Sequence, residues 1–164
     1  MLRVVIMGVS GTGKTSVGHA LSARLGIPYL DGDDLHPAAN VARMAAGIPL
    51  TDDDRWPWLD RVAAMLADRP PVIIGCSALR RVYRDRLRAG AGGAVQFLHL
   101  TGPRDIIAAR MALRQGHYMP TALLDSQLAT LEPPTALEAT PLDITLPLEA
   151  LVEAAAQALH KDHP

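Results

Sequence analysis

The chain has 164 residues, 49% apolar and 20% charged, which suits one globular domain with a single substantial core and excludes a disordered or fibrous protein. Its formal net charge of -1 lends no bulk electrostatic support to a nucleic-acid or membrane partner. Aromatic residues make up only 4%, so the core must rest on Ala, Leu, Val and Ile.

In chain order, Leu2 to Met7 is apolar and β-branched and runs straight into glycine, which predicts a buried strand entering a turn. Lys14 to Leu25 places Val17, Ala20, Leu21 and Leu25 at helical spacing, with Gly26 as the stop. Ile27 to Leu30 predicts a second strand that opens into the acidic turn Asp31-Gly32-Asp33-Asp34. Helices follow over Pro37 to Ala46 and Arg55 to Ala67. A third strand is expected at Pro71 to Cys76, a helix at Leu79 to Arg88, a fourth strand at Ala94 to Leu100 and a helix at Pro103 to Arg114. The polar stretch Gln115 to Pro120 breaks the pattern. A last strand at Leu142 to Leu146 and a helix at Leu148 to Leu159 complete it. Strands alternating with helices predict an α/β fold, a five-stranded parallel sheet with helices on both faces.

Only two lysines are present, Lys14 and Lys161, so the place where lysine occurs carries information. Cys76 is the sole cysteine, which excludes an intrachain disulfide or a thiolate cluster and reads as an inert packing residue. The N-terminal apolar run is too short to span a membrane and has no small-residue cleavage site, so a cytoplasmic protein is expected.

The segment Gly8-Val9-Ser10-Gly11-Thr12-Gly13-Lys14-Thr15 matches G-x-x-x-x-G-K-[ST] and lies between a predicted strand and a predicted helix, the context such a loop requires. Its glycines let successive backbone N–H groups face phosphate oxygens, and the helix dipole adds to that field. Gly8, Ser10, Gly11, Thr12, Gly13, Lys14, Thr15 and Ser16 are therefore the expected ATP-binding residues, with Lys14 reaching the β- and γ-phosphates and the Thr15 hydroxyl on Mg²⁺.

Many P-loop proteins hold the metal with an aspartate after another strand, yet here the third strand ends Ile74-Gly75-Cys76-Ser77. The carboxylates nearest the expected ligand edge are Asp31 and Asp33, two apart in extended chain and so on one side. Asp34 reads as a helix cap. Neither an N-K-x-D guanine motif nor a D-x-x-G switch is present, which weighs against a GTPase and favours a kinase acting on a small acceptor.

Several segments also resemble the bacterial gluconate kinase family, in the group that includes shikimate and adenylate kinases. They are the phosphate loop, Tyr29 to Pro37, Asn40 to Met44, Gly47 to Leu59, Cys76 to Asp85, Gly116 to Pro120 and Leu124 to Glu132. The resemblance covers nearly the whole chain. It implies a single P-loop kinase domain over 1–164 with a lid at about 110–130, and transfer of the ATP γ-phosphate to the terminal hydroxyl of D-gluconate. The products would be ADP and 6-phosphogluconate, feeding the pentose phosphate and Entner–Doudoroff routes. Gluconate kinases are commonly dimers, so a homodimer is implied. The family often has lysine at the positions of Arg80, Arg81 and Gln115.

Roles then follow. Asp33 is the expected base and Asp31, with Thr15, the metal side, by analogy with shikimate kinases; the two aspartates could exchange roles. Arg55, a planar multi-donor cation at a predicted helix start where the dipole disfavours it, is the expected carboxylate ligand. Arg81 reads either as a gluconate or phosphate contact or as part of a solvated helix face. Arg110 and Arg114, at i and i+4 before the lid, are expected on the nucleotide and the transferring phosphate. His36, His117 and Gln127 read as sugar contacts or as structural residues, and Trp56 and Trp58 as packing residues.

Overall fold

The computed structural model describes residues 1–113 and 121–162. Strands β1 (Arg3–Met7), β2 (Tyr29–Asp31), β3 (Val72–Gly75), β4 (Gln96–Thr101) and β5 (Ala139–Asp143) form one sheet in the order β2-β3-β1-β4-β5, all neighbours parallel. The connecting helices are α1 (Lys14–Leu25), α2 (Ala38–Ala45), α3 (Asp52–Asp68), α4 (Arg81–Gly90), α5 (Arg104–Ala112), α6 (Thr121–Thr130) and α7 (Leu148–Asp162). A short 3₁₀ turn, Gly32–Leu35, follows β2.

Side chains alternate across a strand, so each strand feeds two cores. In β1, Val4 and Ile6 pack with α1, α5, α6 and α7 through residues such as Leu21, Ile107, Leu124 and Leu151. Val5 and Met7 pack on the other face with Trp58, Leu59 and Leu66 of α3 and Tyr83 and Leu87 of α4. All four β1 residues are fully buried. At about 25 cal/mol per Å² of apolar surface, such two-sided burial is the main force that fixes the sheet.

The register places Met7, Asp31 and Gly75 at one carboxyl edge: Ile6 pairs with Gly75, and Asp31 pairs with Gly75 from the other side. The phosphate loop and the acidic turn thus emerge on either side of β3. Gly32 sits so close to this strand that a Cβ there would lie 2.4 Å from the Gly75 carbonyl oxygen.

Several element boundaries differ from the sequence expectation, and one helix was not expected from it. Strand β5 begins at Ala139 rather than Leu142 and contains Pro141, which argues against strand in the interior of a sheet. It pairs only with β4, and an edge strand tolerates the missing N–H. Helix α3 begins at Asp52, three residues before Arg55, because Thr51 and Asp54 form a reciprocal capping box. Helix α6 forms within the stretch expected as the lid, and its Leu124 is fully buried in the core. Among the described residues no helix is long and apolar enough to cross a membrane.

Candidate active site

The phosphate loop owes its shape to glycine. Gly8 has φ 147° and Gly11 φ 84°, and a Cβ at Gly11 would fall 2.4 Å from Met111 Cγ, so the loop lies directly on α5. Thr12, almost wholly buried, donates its hydroxyl to the Val9 carbonyl at 2.8 Å and braces the curve from within. Gly13 in the left-handed region starts α1, and no side chain caps the helix, so its first amides point their dipole into the loop. Lys14 folds back across the loop, donating to the carbonyls of Gly8 at 2.8 Å and Val9 at 3.1 Å. Thr15 and the exposed Ser16 open the helix beside it.

Next to the loop, Asp31 and Asp33 are brought together by a turn rather than by extended chain. Asp31 caps the 3₁₀ segment, its Oδ1 accepting from the Asp33 N–H at 2.9 Å, while Asp34, expected to cap the following helix, lies within that segment and Pro37 is the N-cap of α2. Lost hydration in this concave edge, and then the charge of Asp31, push the Asp33 carboxyl above the usual aspartate range, while Lys14 pulls it down. Tyr29 leans across Gly18 and Gly75, with its buried hydroxyl beside Thr15; burial raises its pKa to about 12. Cys76, buried under the same edge, is likewise pushed up to about 12 by burial and is inert at neutral pH.

A second group of charges gathers at the starts of α3 and α4, and its Arg55 acts on His36 beside the acidic turn. Arg55 donates to the Tyr83 hydroxyl at 3.1 Å, Tyr83 donates to Asp52 Oδ1 at 2.5 Å, and Arg80 donates to Asp52 Oδ2 at 2.6 Å. Both guanidiniums lie over the Tyr83 ring, 5.4 and 5.6 Å from its centroid. The Tyr83 hydroxyl and then Arg80 hold Asp52 below the usual carboxylate range. The expectation that Arg55 stands in dipole conflict at a helix start is corrected, since Asp52, Asp53 and Asp54 fill that first turn ahead of it.

His36 lies against Trp58 with ring centroids 4.2 Å apart, and Trp58 donates to the Gly32 carbonyl at 2.7 Å. The nearly buried Asn40 donates its amide to Asp54 O at 2.8 Å and reaches His36 Nδ1 at 3.3 Å. Since that amide nitrogen is a donor, the imidazole proton resides on Nε2. Burial, with Arg55 second, lowers the His36 pKa to about 4, so the ring is neutral at working pH.

Two residues read as either substrate contacts or structural ones have protein partners here. Arg81 is exposed, 3.9 Å from Asp85, and its neighbour Arg80 takes the position beside Arg55. Gln127 spends both ends of its amide on Ser10 of the phosphate loop: Oε1 accepts from the Ser10 N–H at 2.7 Å and Nε2 donates to Ser10 Oγ at 3.1 Å. Arg110 donates to the Ile144 carbonyl and borders a cavity of about 340 Å³ beside the loop, lined also by Gly11, Gly13, Ser16, Leu146 and Leu151. Arg114 and His117 lie outside the described residues.

Sequence reasoning missed Asp52, Arg80 and Tyr83 as one unit. The available signal was the i,i+3 spacing of Asp52 and Arg55, which a helix start at Arg55 conceals. It also missed Arg84, a buried arginine paired with Glu138 at 2.6 Å, which fixes the turn after β3 through the carbonyls of Ala78 and Leu79.

Residues 4–134 match the AAA domain family. The chain is 48% identical to the thermosensitive gluconokinase of Escherichia coli K12 over 82% of its length and 73% of that protein. It is 42% identical to the thermoresistant gluconokinase of the same organism, over 96% of this chain and 93% of the other. The crystal structure of a gluconokinase from Sinorhizobium meliloti 1021 superposes with a TM-score of 0.86 at 44% identity, covering 99% and 98% of the two chains. With a phosphate loop, an acidic turn and a guanidinium cluster on one sheet edge, this chain belongs to the gluconokinase family of P-loop kinases.

Proposed function

We propose that this protein transfers the γ-phosphoryl group of ATP to the terminal hydroxyl of D-gluconate, giving 6-phosphogluconate and ADP. The observation that carries this is the pair of cations on the acidic turn, with Lys14 acting on Asp33 at one end and Arg55 on His36 at the other. That order matches the acceptor, with a hydroxyl at one end and a carboxylate at the other.

In the proposed reaction the loop amides and Lys14 hold the triphosphate, and the cavity bordered by Arg110 takes the nucleoside. Arg55, with Arg80, binds the gluconate carboxylate by paired donors. His36 contributes a neutral Nε2–H to a sugar hydroxyl. Asp33 accepts the proton of the terminal hydroxyl as its oxygen bonds to the γ-phosphorus and the bond to the β-phosphate oxygen breaks. The Thr15 hydroxyl and the Asp31 carboxylate are hard oxygen donors of the kind Mg²⁺ takes, and the excess negative charge of the acidic turn suits a cation there. When bound, that ion would neutralise charge on the phosphates. Arg114 and His117 are proposed to act from the segment at about 110–130, and the family resemblance supports a cytoplasmic homodimer.

An assay of ADP formation with and without gluconate tests the reading. Gluconate-dependent turnover is expected. Stimulation by another polyol acid but not by gluconate would overturn the acceptor, and ATP hydrolysis indifferent to any acceptor would overturn the transfer.

A further inference from the structure

We infer that Gln127 is a positioning residue for the phosphate loop, which it holds in its nucleotide-ready shape, and not a ligand of the acceptor. This rests on the reading of residues 8–15 as the nucleotide site.

The chemistry of the contact is fixed by its partners. A backbone N–H can only donate, so the atom facing Ser10 N at 2.7 Å must be the amide oxygen of Gln127. Its NH₂ then faces Ser10 Oγ at 3.1 Å. Two hydrogen bonds from one planar group bind Ser10 at both backbone and side chain, across 117 residues of sequence. A glycine-rich loop loses much conformational entropy when it orders, and a clasp on Ser10 reduces that cost before any phosphate arrives.

Gln127 is itself well anchored. Helix α6 buries Leu124 completely, and Asp125 makes a two-pronged ion pair with Arg104 of α5 at 2.6 and 3.0 Å. From α5, Met111 and Ile107 press on Gly11. The two helices therefore hold consecutive loop residues, Ser10 by hydrogen bonds and Gly11 by apolar contact. The Ser10 N–H, committed to Gln127, is withdrawn from the amides that receive phosphate, which leaves that task to Gly11 through Thr15.

The test is ADP binding by titration calorimetry, a readout independent of the acceptor, combined with gluconate KM at saturating ATP and thermal melting. Gln127→Ala should weaken ADP about tenfold, as expected for two lost hydrogen bonds, with gluconate KM and Tm close to wild type. Ser10→Ala keeps the backbone bond and should weaken ADP less, and the double variant should bind no worse than Gln127→Ala alone. Gln127→Glu can still accept from the Ser10 N–H and hydroxyl but adds a negative charge beside the phosphates. Its deficit should shrink as salt rises, whereas that of Gln127→Ala should not. Additive losses would overturn the clasp. So would a raised gluconate KM with unchanged ADP binding, which would return Gln127 to the acceptor. A large fall in Tm that accounts for the weakened binding would reduce the residue to a purely structural one. If gluconate proved not to be the acceptor, the ADP results would stand unaffected.

Discussion

His36 and Trp58 stack almost in parallel, their planes 14° apart, and the indole N–H of Trp58 in turn holds the carbonyl of Gly32 between the two aspartates. The acidic turn is therefore set by a ring pair from two different helical segments. Because the folded His36 pKa is lowered from 6.5 to about 4, the unfolded chain binds a proton first as the solution is acidified. The contribution of this histidine to stability is full above pH 6.5 and is lost as the pH falls through the window down to about 4. The Tm difference between pH 7 and pH 5 should be smaller in His36→Gln than in wild type, by differential scanning fluorimetry. An unchanged difference would remove His36 from the acid response.

Asp33→Asn preserves shape and removes the proton acceptor. We expect kcat to fall by about 10²–10⁴ with ADP affinity nearly unchanged, measured by steady-state kinetics and calorimetry. In wild type the acid limb of kcat/KM should lie above the ordinary aspartate value of about 3.9, since lost hydration raises the folded pKa. Loss of nucleotide affinity alone would move Asp33 to the metal side.

Arg55→Ala should raise gluconate KM by about 10- to 100-fold, as for a charged hydrogen bond worth about 1.5–3 kcal/mol, and leave ATP KM alone. Arg55→Lys should fail to restore it, because a point charge cannot reproduce the planar fork. Arg80→Ala should show the same acceptor-selective defect, and Arg81→Ala should show none.

Gly32→Ala places a methyl 2.4 Å from the Gly75 carbonyl, a backbone atom that cannot swing aside. The strand edge must spread, at a cost of about 1–3 kcal/mol, visible as a lower midpoint in urea. Turnover should fall further than stability explains, since Asp31 and Asp33 flank the displaced residue.

Those parts of the molecule whose geometry is local were readable in the sequence. Helix α1 runs from Lys14 to Leu25 as its spacing predicts, and the glycine loop lies between strand and helix as required. What the sequence left open is decided by the exact start of a helix or by a distant contact. Arg80 is the extended N-cap of α4 and Arg81 its first helical residue, so a helix start moved from Leu79 exchanges which arginine joins Arg55. Gln127 sits 117 residues from Ser10, and nothing in the local pattern of α6 announces that contact. Asp31 and Asp33 were found on a wrong geometric premise, since a 3₁₀ turn and not a strand unites them.

The ion pair of Arg84 with Glu138 has a bearing on how the protein is made. Arg84 is all but sealed from solvent, and its guanidinium also reaches the carbonyls of Ala78, Leu79 and Glu132. During synthesis the first 137 residues contain both the phosphate loop and the acidic turn, yet they lack the carboxylate that neutralises this buried cation. A buried charge without its counter-ion destabilises by several kcal/mol. The turn that leads from β3 into the acceptor side of the site is therefore tied to the residue just ahead of the edge strand that completes the sheet.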